Sequence, residues 1–211
     1  MAKRVVPTRR GRSPIGRRLR VALALALALA CALVVVRGCV LRPAAAHPGS
    51  HYNVGANAAW LGIEWVNEPR DGREVEALVE ELRRHQMTDA YAYVSYLHPS
   101  GRFGETFAHA ASFTRGLHAA APEVRVQAWL GIPLRRGRGL VAGEAGHADL
   151  GDPATRAAIA AFAERVVREA GFDGVHLDPE PAADGDRHLL ALLEEVRAAV
   201  GRDAVLSIAV K

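Results

Sequence analysis

What constrains this chain most is a regular alternation. Short apolar runs at 60–66, 90–97, 124–132, 172–178 and 204–210 are separated by segments with helical periodicity. The segment 71–85 places Val75, Leu78, Val79 and Leu82 on one helical face. The segment 106–120 does the same with Phe113 and Leu117. Asp152 and Pro153 open a third helix whose inward residues are Ile159, Phe162, Val166 and Ala170. Asp186 opens a fourth, with Leu189, Leu192, Leu193, Val196 and Val200 inward and Gly201 at its end. Strands alternating with helices of this length call for parallel βαβ units. The strands read as apolar on both faces, as strands of a buried parallel sheet do. No Gly-x-Gly-x-x-Gly turn follows the first run, which argues against a dinucleotide-binding sheet. The expected fold class is therefore α/β, a partial TIM-type (β/α)8 barrel with about five β/α units, occupying 60–211.

The charge is segregated along the chain. The 42 residues from Met1 to Arg42 hold ten Lys or Arg and no acidic residue, which leaves 17 basic against 23 acidic residues in the remainder. A folded part that is net acidic lacks the basic surface that phosphate neutralisation needs, so nucleic acid is excluded as a partner. The basic block runs into an apolar stretch from Val21 to Val36, followed by Ala44-Ala45-Ala46. That layout is a basic flank plus a signal peptide or membrane anchor over 1–46, with 47–59 as a polar tether. A cleaved signal and an uncleaved transmembrane helix both fit it. Either places the domain outside the cytoplasm, secreted or anchored at the cell membrane. Cys31 and Cys39 both lie within 1–46, so the exported part has no thiol for a disulfide or a thiolate zinc site. His98, His109 and His118 lack metal-ligand spacing and are expected at the surface or at helix ends. No cofactor or metal is expected.

The stretch most informative about chemistry is Gly171-Phe172-Asp173-Gly174-Val175-His176-Leu177-Asp178-Pro179-Glu180-Pro181. Side chains two apart on a strand share a face, so His176, Asp178 and Glu180 point the same way, into a barrel. They approach the C-terminal mouth, where barrel active sites lie. A carboxyl group crowded there by another carboxylate is suited to general acid work. Asp173 has the opposite parity and sits at the strand's start, where it serves as structural support.

This stretch resembles the Asp-Gly-x-Asp-x-Asp-x-Glu signature of family 18 glycoside hydrolases, the chitinase and endo-N-acetylglucosaminidase group. The helix leading into Gly171 and the later Val205-Leu206-Ser207-Ile208-Ala209-Val210 run are similar to that family too. The resemblance implies a glycosidase with a carbohydrate substrate. Glu180 would protonate the glycosidic oxygen and later act as base. Asp178 would orient a substrate N-acetyl group whose carbonyl oxygen is the nucleophile. His176 stands where the family has its middle Asp, which turns a carboxylate relay into a carboxylate–imidazole one. Pro179 replaces a position that is commonly aromatic in chitinases. Two alternatives remain beside catalysis: a carbohydrate-binding barrel without activity, and a truncated inactive fragment.

Further candidates lie on the earlier strands. Trp129, Tyr93 and Trp65 offer faces on which a sugar ring could stack. Glu64, read as a carboxylate within an apolar strand, needs a partner and would face the barrel interior near Gln127, either as a structural hydrogen-bonded group or with Gln127 as a substrate contact. Asn67-Glu68-Pro69 matches a tripeptide of another glycosidase clan by chance, since it follows the first strand rather than the fourth. The loop from Pro133 to about Gly151 is long enough to be functional, and its Arg135-Arg136-Gly137-Arg138 run reads as a solvated turn.

Overall fold

The computed structural model describes residues 55–135 and 146–209. The segment read as a signal or anchor, 1–46, lies outside the described residues, as does most of the tether and the 136–145 part of the long loop. Among the described residues no helix is long and apolar enough to cross a membrane.

Five strands form one parallel sheet: β1 (Asn57–Leu61), β2 (Met87–Tyr96), β3 (Arg125–Pro133), β4 (Gly174–Glu180) and β5 (Val205–Ile208). Their order in space is their order in the chain. Between β1 and β2 run a one-turn helix α1 (Glu64–Asn67) and α2 (Gly72–Arg84). The later crossovers carry α3 (Ala110–Ala120), α4 (Pro153–Ala170) and α5 (Arg187–Val200). A sheet that adds each new strand beside the last never reverses its direction of winding. This is how a barrel wall grows, whereas a doubly wound sheet turns back at a switch point.

The helices start where side chains can satisfy their free N–H groups. Asp71 accepts from the backbone N–H groups of Arg73 and Glu74, and Glu74 accepts in return from Asp71 N, a capping box. Asp152 caps α4 through Ala154 N and Thr155 N, with Pro153 in the first turn. Gly171 ends that helix at φ +72°, a left-handed position that suits glycine. The inward faces match their periodicity. Val75, Val79 and Leu82 of α2 are buried, as are Phe113 and Leu117 of α3 and Ile159, Phe162, Val166 and Ala170 of α4. On α5 only Leu192 and Val196 are fully buried, while Leu189, Leu193 and Val200 pack half-buried at the margin of the core.

These helices cover one face of the sheet with Ala90, Ala92 and Val94 of β2, Val126, Ala128, Leu130 and Ile132 of β3, and Val175 and Leu177 of β4. None of these is more than 1% exposed. Complete burial of each Val, Leu or Ile among them contributes about 1.5–3 kcal/mol. The opposite face is not apolar. It carries Trp60, Tyr91, Tyr93, Gln127, Trp129, His176, Asp178, Glu180 and Ser207, which corrects the expectation of strands apolar on both faces.

The first strand is also corrected. It spans Asn57–Leu61 rather than 60–66, and the chain leaves the sheet at Gly62. Residues Glu64–Asn67 then form α1, from which Val66 reaches full burial in the helix-side core. The apolar run at 60–66 thus serves two elements. Its second half is apolar because a helical turn packs there. Similarly, α3 begins at Ala110, and the preceding residues form a loop in which Thr106 donates its hydroxyl proton to Val94 O at 2.6 Å.

Candidate active site

Strand β4 supplies the central row. Its register against β3 pairs Trp129 with His176, Gly131 with Asp178 and Pro133 with Glu180. At the strand's start, a Cβ on Gly174 would collide with the backbone of Val205 on β5. Glycine is therefore what lets β4 and β5 close together below the row. Asp178 is half-buried, and its Oδ2 accepts the indole N–H of Trp129 at 3.0 Å. Glu180 is the last residue of β4 and is exposed. Its backbone oxygen accepts from Leu134 N at 2.8 Å, and its carboxylate has no hydrogen bond or ion pair among the described residues. By strand alternation its side chain shares the face of Asp178 and His176.

His176 is 4% exposed and sits in a polar chain that crosses the sheet. Its Nδ1 lies 2.8 Å from Ser207 Oγ on β5. Ser207 donates to Gln127 Oε1 at 2.7 Å, and Gln127 Nε2 donates to Asp89 Oδ1 at 3.0 Å. Asp89 Oδ2 takes the guanidinium of Arg125 at 2.6 Å and the hydroxyl of Thr88 at 3.0 Å. Among the described residues His176 Nε2 is buried without a partner. Burial holds the imidazole below its ordinary pKa, and the nearby charge of Asp178 opposes this only in part.

Aromatic rings surround the imidazole. Tyr91 stacks on it at 4.2 Å between centroids, and Trp60 meets it edge-on at 4.9 Å. Trp60 also contacts Trp129 at 4.4 Å, and Tyr93 contacts Trp129 at 4.8 Å. Trp60 remains 52% exposed, so this aromatic group presents an open ring to solvent. The Tyr93 hydroxyl is pushed above its ordinary pKa, first by burial and then by the neighbouring Tyr96 and Asp178.

Asp173 lies below the row. Its Oδ2 accepts from Val126 N at 2.7 Å and contacts His118 Nε2 of α3 at 2.9 Å. Its backbone bridges both neighbours, donating to Val126 O and accepting from Val205 N, each at 2.8 Å. These contacts tie α3, β3 and β5 to the start of β4. His118 thus lies in the last turn of α3, a helix end as expected, and is half-buried there against Asp173.

Of the residues singled out from the sequence, His176, Asp178, Glu180, Gln127, Trp129 and Tyr93 share this face. Glu64 does not. It is exposed at the start of α1, and its backbone oxygen accepts from Arg70 at 3.0 Å. The residue expected near it, Gln127, is instead held by Asp89 and Ser207. Trp65 also lies elsewhere, against Phe113 and beneath the Arg70 guanidinium. Exposed Glu68, of the Asn-Glu-Pro tripeptide, pairs with Arg70 at 3.1 Å. Four participants were not anticipated: Trp60, Asp89, Tyr91 and Ser207. Asp89 carried a signal, since Asp89, Tyr91 and Tyr93 keep a period of two into the strand. Trp60 was hidden by the misplaced first strand.

No protein-family model matches the sequence, and no curated protein does either. Solved structures do match. The chitinase domain of the spore coat protein CotE from Clostridium difficile aligns over 79% of this chain and 45% of its own, with TM-score 0.50 and 16% identity. A GH18 chitinase from Cycas revoluta, solved in complex with (GlcNAc)3, aligns over 72% of this chain and 44% of its own, with TM-score 0.50 and 17% identity. The chain thus spans less than half the length of these structures. At such identities the likeness concerns backbone architecture, and it agrees with the sequential parallel sheet. The chain shares with these chitinase structures an α/β fold of five consecutive parallel strands, arranged as in part of a TIM-like barrel.

Proposed function

We propose that this protein is a glycoside hydrolase-like protein acting on N-acetylated glycans, with Glu180 as general acid and base. The observation that carries this reading is the pairing of Asp178 with Glu180 two residues apart at the C-terminal end of β4, on the face opposite the helices. Barrel enzymes assemble their chemistry at that end of their strands. In the proposed reaction Glu180 gives its proton to the glycosidic oxygen as the bond breaks. Asp178, steadied by Trp129, holds the substrate's N-acetyl group so that its carbonyl oxygen attacks the anomeric carbon. Glu180 then takes a proton from the water that opens the resulting ring. The (GlcNAc)3 bound by the Cycas revoluta chitinase supports an N-acetylated sugar as the substrate class. Exposed Trp60, beside Trp129, suits an apolar sugar face.

We further propose that the domain works outside the cytoplasm, secreted or held at the membrane by the basic and apolar segment within 1–46. A protease-protection assay on intact cells tests this, since a cytoplasmic domain would survive external protease.

A second reading, carbohydrate binding without cleavage, is favoured by one observation. The Glu180 carboxylate is exposed and unpartnered among the described residues, so no protein group there holds it in place. Hydrolysis of aryl N-acetylchitooligosaccharides by the full chain separates the two. Turnover that Glu180→Gln abolishes supports catalysis, with Asp178→Asn causing a smaller loss. Calorimetric binding without turnover supports the second reading. Turnover unchanged by Glu180→Gln would remove Glu180 from the mechanism.

A further inference from the structure

The polar chain that ends at His176 has a definite direction, and the direction follows from what each group can donate. Asp89 accepts on both oxygens, from Arg125 and Thr88 on one and from Gln127 on the other. The Gln127 amide must therefore turn its NH2 toward Asp89 and its oxygen toward Ser207. Ser207 has a single hydroxyl proton, and the Gln127 oxygen takes it at 2.7 Å. What Ser207 has left for His176 is a lone pair. The 2.8 Å contact with Nδ1 is then a hydrogen bond only if Nδ1 carries the proton.

We propose that Asp89, Gln127 and Ser207 are positioning residues that fix His176 as its Nδ1–H tautomer, so that a bare Nε2 acceptor is presented on the face that carries Asp178. Two further observations agree with this. Nε2 is buried and has no hydrogen-bond partner among the described residues. The Asp178 carboxylate takes its donor from Trp129, on the adjacent strand, rather than from the imidazole. An unprotonated Nε2 cannot donate to an ionised carboxylate. It can accept only from a group that brings a proton, such as Asp178 as a carboxylic acid. His176 therefore makes no hydrogen bond to the ionised Asp178, whose orientation is left to Trp129. The inference deepens the proposed glycosidase reading, but it is read on the imidazole itself, so the two fail separately.

Imidazole 15N chemical shifts of the full chain, kept soluble in mild detergent at neutral pH, provide the test. The His176 resonances are assigned by their loss in His176→Gln. The expected wild-type spectrum shows a protonated Nδ1 and a bare Nε2. In Asp89→Asn the new amide faces Gln127 with its NH2 while its oxygen still accepts from Arg125 and Thr88. Gln127 then inverts, Ser207 donates to Nδ1, and the proton moves to Nε2. Ser207→Ala, which removes the link without changing the charge, yields a mixture of both tautomers. A wild-type proton on Nε2 would overturn the proposal. So would a folded Asp89→Asn variant, or Ser207→Ala, with the wild-type tautomer unchanged.

Discussion

Trp129 on β3 gives its indole proton to Asp178 on β4 across 3.0 Å, so the orientation of one strand's carboxylate is set by its neighbour. A hydrogen bond to a charged group is worth about 1.5–3 kcal/mol. Trp129→Phe keeps a ring against Trp60 and Tyr93 but removes the donor. In steady-state assays on an N-acetylated aryl oligosaccharide, kcat is expected to fall about tenfold or more, the rate equivalent of that energy. KM should change far less, since Asp178 is proposed to act on the reacting N-acetyl group.

Asp173 is expected to matter for stability rather than for chemistry. Asp173→Ala removes the acceptor of Val126 N and the partner of His118. The side chain is about a third exposed, so the loss should fall near the low end for charged hydrogen bonds, about 1.5 kcal/mol. Urea unfolding monitored by tryptophan fluorescence should show a lower midpoint, while KM of the folded protein stays the same.

Gly174→Ala is expected to be more damaging than its size suggests. The added methyl meets the backbone of Val205, which cannot move aside as a flexible side chain would. Overpacking of this kind costs about 1–3 kcal/mol. The loss should appear as faster hydrogen exchange in the β5 amides before global unfolding sets in.

His176 should make the fold acid-sensitive. Its folded pKa is depressed by burial, so the neutral imidazole is the form the fold accommodates. The unfolded chain, with a pKa of about 6.5, then binds the proton more readily. This contribution is complete above that value and is lost as pH falls from it toward the lower folded pKa. Urea midpoints at pH 7.5 and pH 5 test the sign, and His176→Gln should show a smaller drop between them.

How much of this was legible depended on which residues had only one reason to be where they are. Val175 and Leu177 are apolar for the helices, and His176, Asp178 and Glu180 are polar for the other face. The period of two there has a single cause, so the shared face of β4 is legible although the strand spans Gly174–Glu180 rather than 172–178. At 60–66 two causes overlapped. Trp60 and Leu61 close a strand, while Trp65 and Val66 belong to a helical turn, and hydrophobicity alone does not mark the change at Gly62. Asp173 was legible as a brace because its parity removed it from the row. Ser207 was not, because a serine in a short strand gives no hint that its partners lie on β3 and β4. Long-range polar pairing is a property of strand register, and register is set by backbone contacts such as that of Gly174 with Val205.

The amide at the centre of the His176 chain has a consequence of another kind. Hydroxyls and imidazoles pass protons along by accepting on one side and releasing on the other. A carboxamide does this only by becoming an imidic acid, a tautomer of much higher energy. Gln127 therefore insulates Asp89 from His176. It transmits orientation and no charge. A proton gained or lost at the imidazole is not relayed along the chain to the carboxylate buried under Arg125.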